Sequence, residues 1–171
     1  MISYSQIEQT FDISKKGNEQ MNYELLMLKN AIRMKKTANI LTKELTLVAM
    51  RSYDTFNWRN GTMGQVEAIS NISSQIDECL AFYNAVEKAL LMLPKGYKAL
   101  LVTVYFKNTD KEALAKKYGV SRSTVYRKLY SAREMFAQAL GSLGCTKEWF
   151  TANYAHYDFI NRLPYHKKSV K

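Results

Sequence analysis

The stretch from Thr109 to Leu140, TDKEALAKKYGVSRSTVYRKLYSAREMFAQAL, constrains the fold more than any other part of the chain. It reads as a helix, a tight turn and a second helix. Thr109 and Glu112 have the spacing of a capping box, which predicts a helix starting at Asp110. Gly119 stands where a helix end needs a left-handed backbone. Ser121 is a good N-cap for the next helix. Val120 before that cap and Val125 after it have the spacing of a hydrophobic staple.

The apolar positions agree with two short crossed helices. Leu114, Ala115, Val120, Val125 and Leu129 fall where the pair must touch, and Ala115 is small where they approach most closely. Val125, Leu129, Ala132 and Phe136 recur at helical spacing and form one inward stripe. The opposite face carries Arg122, Ser123, Tyr126, Arg127 and Tyr130. Basic and hydrogen-bonding side chains at the start of an exposed second helix are what reading a major groove requires. Two helices around a glycine turn also occur in all-α proteins with no nucleic-acid role. Charge separates the two cases. Between Lys107 and Arg133 there are eight basic residues and two acidic ones, Asp110 and Glu112, so this stretch carries +6 of the chain's +10. The candidate DNA-binding residues are Lys111, Lys116, Lys117, Ser121, Arg122, Ser123, Thr124, Tyr126, Arg127 and Lys128.

Leu93-Pro94, Glu112-Ala113-Leu114-Ala115, Tyr118-Gly119-Val120-Ser121, Thr124-Val125-Tyr126 and Leu129 together resemble the helix-turn-helix of bacterial sigma factors, in the domain that reads the upstream promoter element. The segment is similar still more closely to the ArpU/RinA-type regulators of phage late transcription, which place such a module after a long helix. The resemblance covers roughly Thr62 to Phe136. It implies an all-α fold: a helical bundle with a long central helix and a sigma-like helix-turn-helix DNA-binding domain. It also implies double-stranded DNA as a partner, RNA polymerase as a further one, and the cytoplasm of a bacterial host cell as the location.

A chain of 171 residues suits one ordinary domain or two small ones, and can bury about 70% of its unfolded surface. Two prolines and seven glycines favour long helices over many short strands. No apolar run approaches the roughly 20 residues of a membrane span, so no membrane partner is expected. The opening MISYSQIEQTF lacks the basic-then-apolar pattern of a signal peptide. Cys79 and Cys145 lie far apart without metal-ligand spacing and read as free thiols of a reducing compartment.

In chain order, Ser5 and Glu8 suggest a short opening helix over Gln6 to Phe11. Met21, Leu25, Leu28 and Ile32 mark an amphipathic helix expected to end near Lys36. Its other face carries Lys29, Arg33, Lys35 and Lys36, either a solvated basic face or a second DNA contact. Ile40, Leu41, Leu45, Val48 and Ala49 suggest another helix to about Ser52. Tyr53, Phe56 and Trp58 follow, as a small core under a loop or as a platform for unpaired bases.

Thr62 and Gln65 make another capping box, opening a helix to Leu93. Ile69, Ile76, Tyr83 and Leu90, with Ile72, Cys79, Val86 and Leu93, keep a heptad over four repeats. That seam packs either against the chain's own N-terminal helix or against a second chain. Tyr97 to Phe106 is ambiguous by pattern, and its helical neighbours and the resemblance favour helix. Gly141 and Gly144 are expected to close the helix that opens after Ser121. Thr146 caps a last helix, Lys147 to about Leu163, with Trp149, Phe150, Tyr154, Tyr157 and Ile160 on broadly one side. So much aromatic surface should dock on the body or on another subunit. The expected organisation is thus an N-terminal helical region (1–61), a long heptad helix (62–93), a DNA-binding domain (94–141), and a C-terminal aromatic helix with a basic tail (142–171).

No catalytic constellation is visible. His156 and His166 lack zinc spacing, no glycine-rich phosphate loop occurs, and no cofactor is expected. The chain reads as a non-enzyme. Its leading reading is a sequence-specific transcription regulator that binds promoter or operator DNA, controlling phage late genes. The alternatives are a minimal sigma factor that recruits RNA polymerase, and an assembly or adaptor protein that binds partners through its helices. A homodimer or higher homo-oligomer is expected, joined through the long helix, the C-terminal helix or both.

Overall fold

No glycine or proline interrupts the chain between Tyr23 and Arg51, and α1 runs unbroken over that whole range. The helix end expected near Lys36 is absent, because nothing there competes with continued helical hydrogen bonding. The computed structural model describes residues 23–51, 61–154 and 156–158. The further helices are α2 (Gly61–Met92), α3 (Lys95–Leu101), α4 (Lys111–Tyr118), α5 (Arg122–Ser142) and α6 (Lys147–Tyr154). No strand occurs among the described residues, and the fold is an all-α helical bundle. No helix among them is long and apolar enough to cross a membrane. The expected opening helix, Met21, the aromatics Tyr53, Phe56 and Trp58, and the chain from Phe159 onward, with Ile160 and His166, lie outside the described residues.

Helices α1 and α2 form an antiparallel pair. The ten steps from Arg51 to Gly61 span at most about 36 Å, whereas α1 is about 43 Å long, so a parallel return is out of reach. Lys35 accordingly meets Tyr83, donating to its phenol oxygen at 3.3 Å. The face of α1 that is fully buried is Met27, Ala31, Met34 and Ala38, with Leu28 beside it. Leu25 and Ile32, expected on that stripe, are only half-buried. Alternating methionine and alanine lets the two helices approach closely, with the flexible side chains filling the gaps.

The heptad of α2 is met from within the chain. Cys79, Val86, Leu90 and Leu93 are buried, whereas Ile69, Ile72, Ile76 and Tyr83 are half-buried. The helix already includes Gly61, so Thr62 is not its N-cap. One continuous core joins these residues to Leu101, Val104, Leu114, Val125, Leu129, Phe136 and Leu140.

Tyr97 to Phe106 is helical but not uniformly so. α3 passes into a π-helical turn, Val102–Phe106. Lys107 donates its backbone N–H to the Val102 carbonyl at 3.1 Å, five residues back. Asn108 then turns the chain with φ +50°, a conformation its side chain tolerates.

Helix α6 docks on the body of its own chain. Its first turn is capped by Thr146, which accepts from the Trp149 N–H at 3.3 Å. Phe150 and Tyr154 are buried. Tyr154 meets Phe82 of α2 edge-on, with ring centroids 5.0 Å apart. Tyr157 donates to the Glu78 carboxylate at 2.9 Å. The described helix runs to Tyr154, the Tyr157 N–H bonds back to the Tyr154 carbonyl in a turn, and the rest of the expected extent, from Phe159 to Leu163, lies outside the described residues.

Candidate nucleic-acid interface

The turn between α4 and α5 is fixed by local chemistry at both ends. Gly119 adopts φ 60°, ψ 31°, where a side chain is disfavoured. The next N–H, of Val120, bonds to the Ala115 carbonyl five residues back at 3.1 Å, which closes a Schellman ending. Ser121 then caps α5. Its hydroxyl accepts from the Thr124 N–H at 3.2 Å and lies 2.8 Å from the Thr124 hydroxyl. Ser123 joins the same cluster, with its hydroxyl 3.0 Å from that of Ser121. Ser121 and Thr124 are therefore committed to the turn, and they set its geometry.

The other end of α4 departs from expectation. Asp110, not Thr109, occupies the N-cap position, and no side chain caps the helix. Thr109 instead donates its N–H to the Thr103 carbonyl at 3.1 Å. Glu112 does not reach back to close a capping box. It turns to α5 and pairs with Arg122 at 2.7 Å. A guanidinium across the turn is a stronger partner for a carboxylate than a neutral N–H.

This pairing gathers three candidate side chains, Arg122, Tyr126 and Lys111, beside Glu112. Arg122 also donates to the Tyr126 phenol at 3.5 Å. Two cations approach the Tyr126 ring, with Lys111 Nζ at 4.8 Å and Arg122 Cζ at 5.6 Å from its centroid. The Arg122 hydrogen bond, then the Lys111 charge, hold the Tyr126 phenol below its ordinary pKa. The cluster is exposed at the first turn of α5, apart from the half-buried Lys111.

The other candidates spread around this centre. Arg127 and Lys128 are exposed one turn further along α5. Lys116 and Lys117 are exposed at the end of α4, with Lys117 over the Tyr118 ring at 5.7 Å. Lys128 borders an open groove of about 620 Å³, lined chiefly by apolar groups including Pro94, Leu100, Leu114, Val120 and Val125. No acidic residue occurs from Ala113 to Arg133. The face is thus predominantly basic on a capped turn, with Glu112 as the acidic group within it.

Two features escape a reading by pattern. Arg133, one of the eight basic residues, is turned inward. Its guanidinium donates to the Tyr105 phenol through Nε at 2.6 Å and also through Nη2. Lys29 of α1 lies near this edge. Its pKa is lowered by partial burial first, then by the charges of Arg133 and Lys111. Lys29 therefore lies within reach of the charges of Arg133 and Lys111. The lysine at this position was visible in the sequence, but its neighbours come from other helices.

Comparison with protein families, with curated proteins and with solved structures finds no match to the chain.

Proposed function

We propose that the chain is a sequence-specific double-stranded DNA-binding protein that regulates transcription. In this reading the module is a sigma-like helix-turn-helix, with α5 as the recognition helix. The observation that carries it is the first turn of α5: Arg122, Tyr126 and Arg127 exposed on a doubly capped turn, on a surface without acid from Ala113 to Arg133. Arg122 and Arg127 read bases. Lys111, Lys116, Lys117 and Lys128 hold phosphates and set the register. Ser121 and Thr124 keep the helix start in place, and Ser123 stands exposed beside Ser121. Tyr126, with cations on its ring, directs Lys111 and Arg122 toward the groove.

Selection of bound sequences from random duplex DNA, followed by gel-shift titration, tests this. One enriched motif, bound at least a thousandfold more tightly than random duplex, is the expected result. The absence of any enriched motif, with uniform weak binding, overturns it. Transcription with purified core polymerase, with and without a host sigma factor, then separates a regulator from a minimal sigma factor. Control of phage late genes is the regulatory role we favour.

A further inference from the structure

The distal half of the α1–α2 hairpin has no fully buried residue: burial ends at Ala38 on α1 and begins at Cys79 on α2. Yet it is apolar on two sides. Leu41, Leu45 and Val48 face the seam with α2 and are half-buried. On the other side of α1, Ile40 and Leu47 are 64% and 54% exposed, and Met50 follows at 63%. A helix apolar on both faces is normally covered on both. Helix α6, which brings the other large apolar surface, is already docked around Phe82 and Glu78.

The outer face has a particular order. Ile40, Lys43, Glu44 and Leu47 fall at i, i+3, i+4 and i+7, which is one helical stripe. It reads apolar, positive, negative, apolar. Read backwards, the charges change places and the apolar ends coincide. Two such stripes laid antiparallel about a two-fold axis between Lys43 and Glu44 therefore fit each other. Ile40 meets Leu47 of the second copy, and Lys43 meets its Glu44, each contact occurring twice. Both charged residues are exposed, and neither forms an ion pair among the described residues. Residues 39–51 and 61–76 carry Lys43 and Arg51 against Glu44 and Glu67, and so are neutral within a chain of +10.

We infer that this outer stripe of α1 is a homodimer interface and that its occupant is the same stripe of a second copy. The inference is independent of the DNA reading, because it concerns association without nucleic acid. It also relocates the contact: the heptad face of α2 and the aromatic face of α6 are used inside the chain.

The test is sedimentation equilibrium of the full chain without DNA, at micromolar concentration. Four forms are compared: wild type, Lys43→Glu, Glu44→Lys and the double swap. The wild type should sediment as a dimer. Each single reversal places like charges together at two symmetric points and should weaken the dimer about tenfold. The double swap should restore it. Leu47→Asp should give helical monomers by circular dichroism, since the site is exposed. A wild-type monomer of 19.8 kDa across the concentration range overturns the inference, whatever else covers the stripe. So does a double swap no better than either single change, or a dimer untouched by Leu47→Asp.

Discussion

Glu112 and Arg122 stand ten residues apart in sequence and 2.7 Å apart in space, one on each side of the turn. Both side chains are more than half exposed, so solvent screening leaves the pair little effect on stability. Its effect is on direction. The carboxylate holds the guanidinium near the start of α5, beside the Tyr126 ring.

That placement sets the first expectation. Arg122→Ala and Arg127→Ala should each weaken binding to cognate DNA by about 1–3 kcal/mol, with a smaller loss on random duplex. Paired gel-shift titrations measure both. Equal losses on the two DNAs would assign these residues to phosphate alone.

Salt dependence gives a second measure. With about six phosphate contacts, the slope of log affinity against log salt should be near −5. Arg133 is held by Tyr105, so Arg133→Gln should leave that slope unchanged while lowering thermal stability. A slope near zero for the wild type removes the electrostatic basis of the reading.

The turn itself can be probed at Gly119. A methyl group there meets nothing within 4 Å, yet φ is +60°. Gly119→Ala should therefore cost about 1–2 kcal/mol through backbone conformation alone. Urea unfolding reads the cost. A neutral result would mean that this turn relaxes without penalty.

Alkaline pH should loosen the docking of α6. Burial, then the negative charge of Glu78, push the Tyr154 phenol from 10.0 up to about 12. The unfolded chain therefore loses this proton first. The stabilisation is complete below pH 10.0 and is lost as pH rises toward about 12. Tyr157, raised by burial and by its bond to Glu78, adds to the same decline. Denaturant midpoints measured across this interval should fall steeply for the wild type and less steeply for Tyr154→Phe. Identical slopes would show that Tyr154 does not contribute.

What could be read from sequence follows the range of the interactions. Gly119 and Ser121 act within five residues, so their roles were legible from spacing. The inward stripe of Val125, Leu129, Ala132 and Phe136 was legible too, because burial of one face follows from period alone, and all four are buried. The capping box of Thr109 and Glu112 failed because a partner from another helix, Arg122, outcompeted the local one. The heptad of α2 announced a covered face but not what covers it. That depended on Met27, Ala31 and Met34, a stripe offset from the one that Leu25 and Ile32 suggested. The Tyr105–Arg133 contact spans 28 positions and left no periodic trace.

The π-helical turn at Val102–Phe106 has a consequence for how this chain can vary. It holds one residue more than a regular α turn would use, and that residue sets the phase of what comes after it. Removing one residue ahead of Tyr105 there would restore an ordinary helix, but would rotate the following side chains by about 100°. Tyr105 would swing away from Arg133, and α4 would start from a different azimuth. Substitutions in this segment can be absorbed one at a time, whereas a change of length cannot. The segment therefore works as a ruler between the long hairpin and the basic face, and a viable homologue should keep its residue count even where its letters differ.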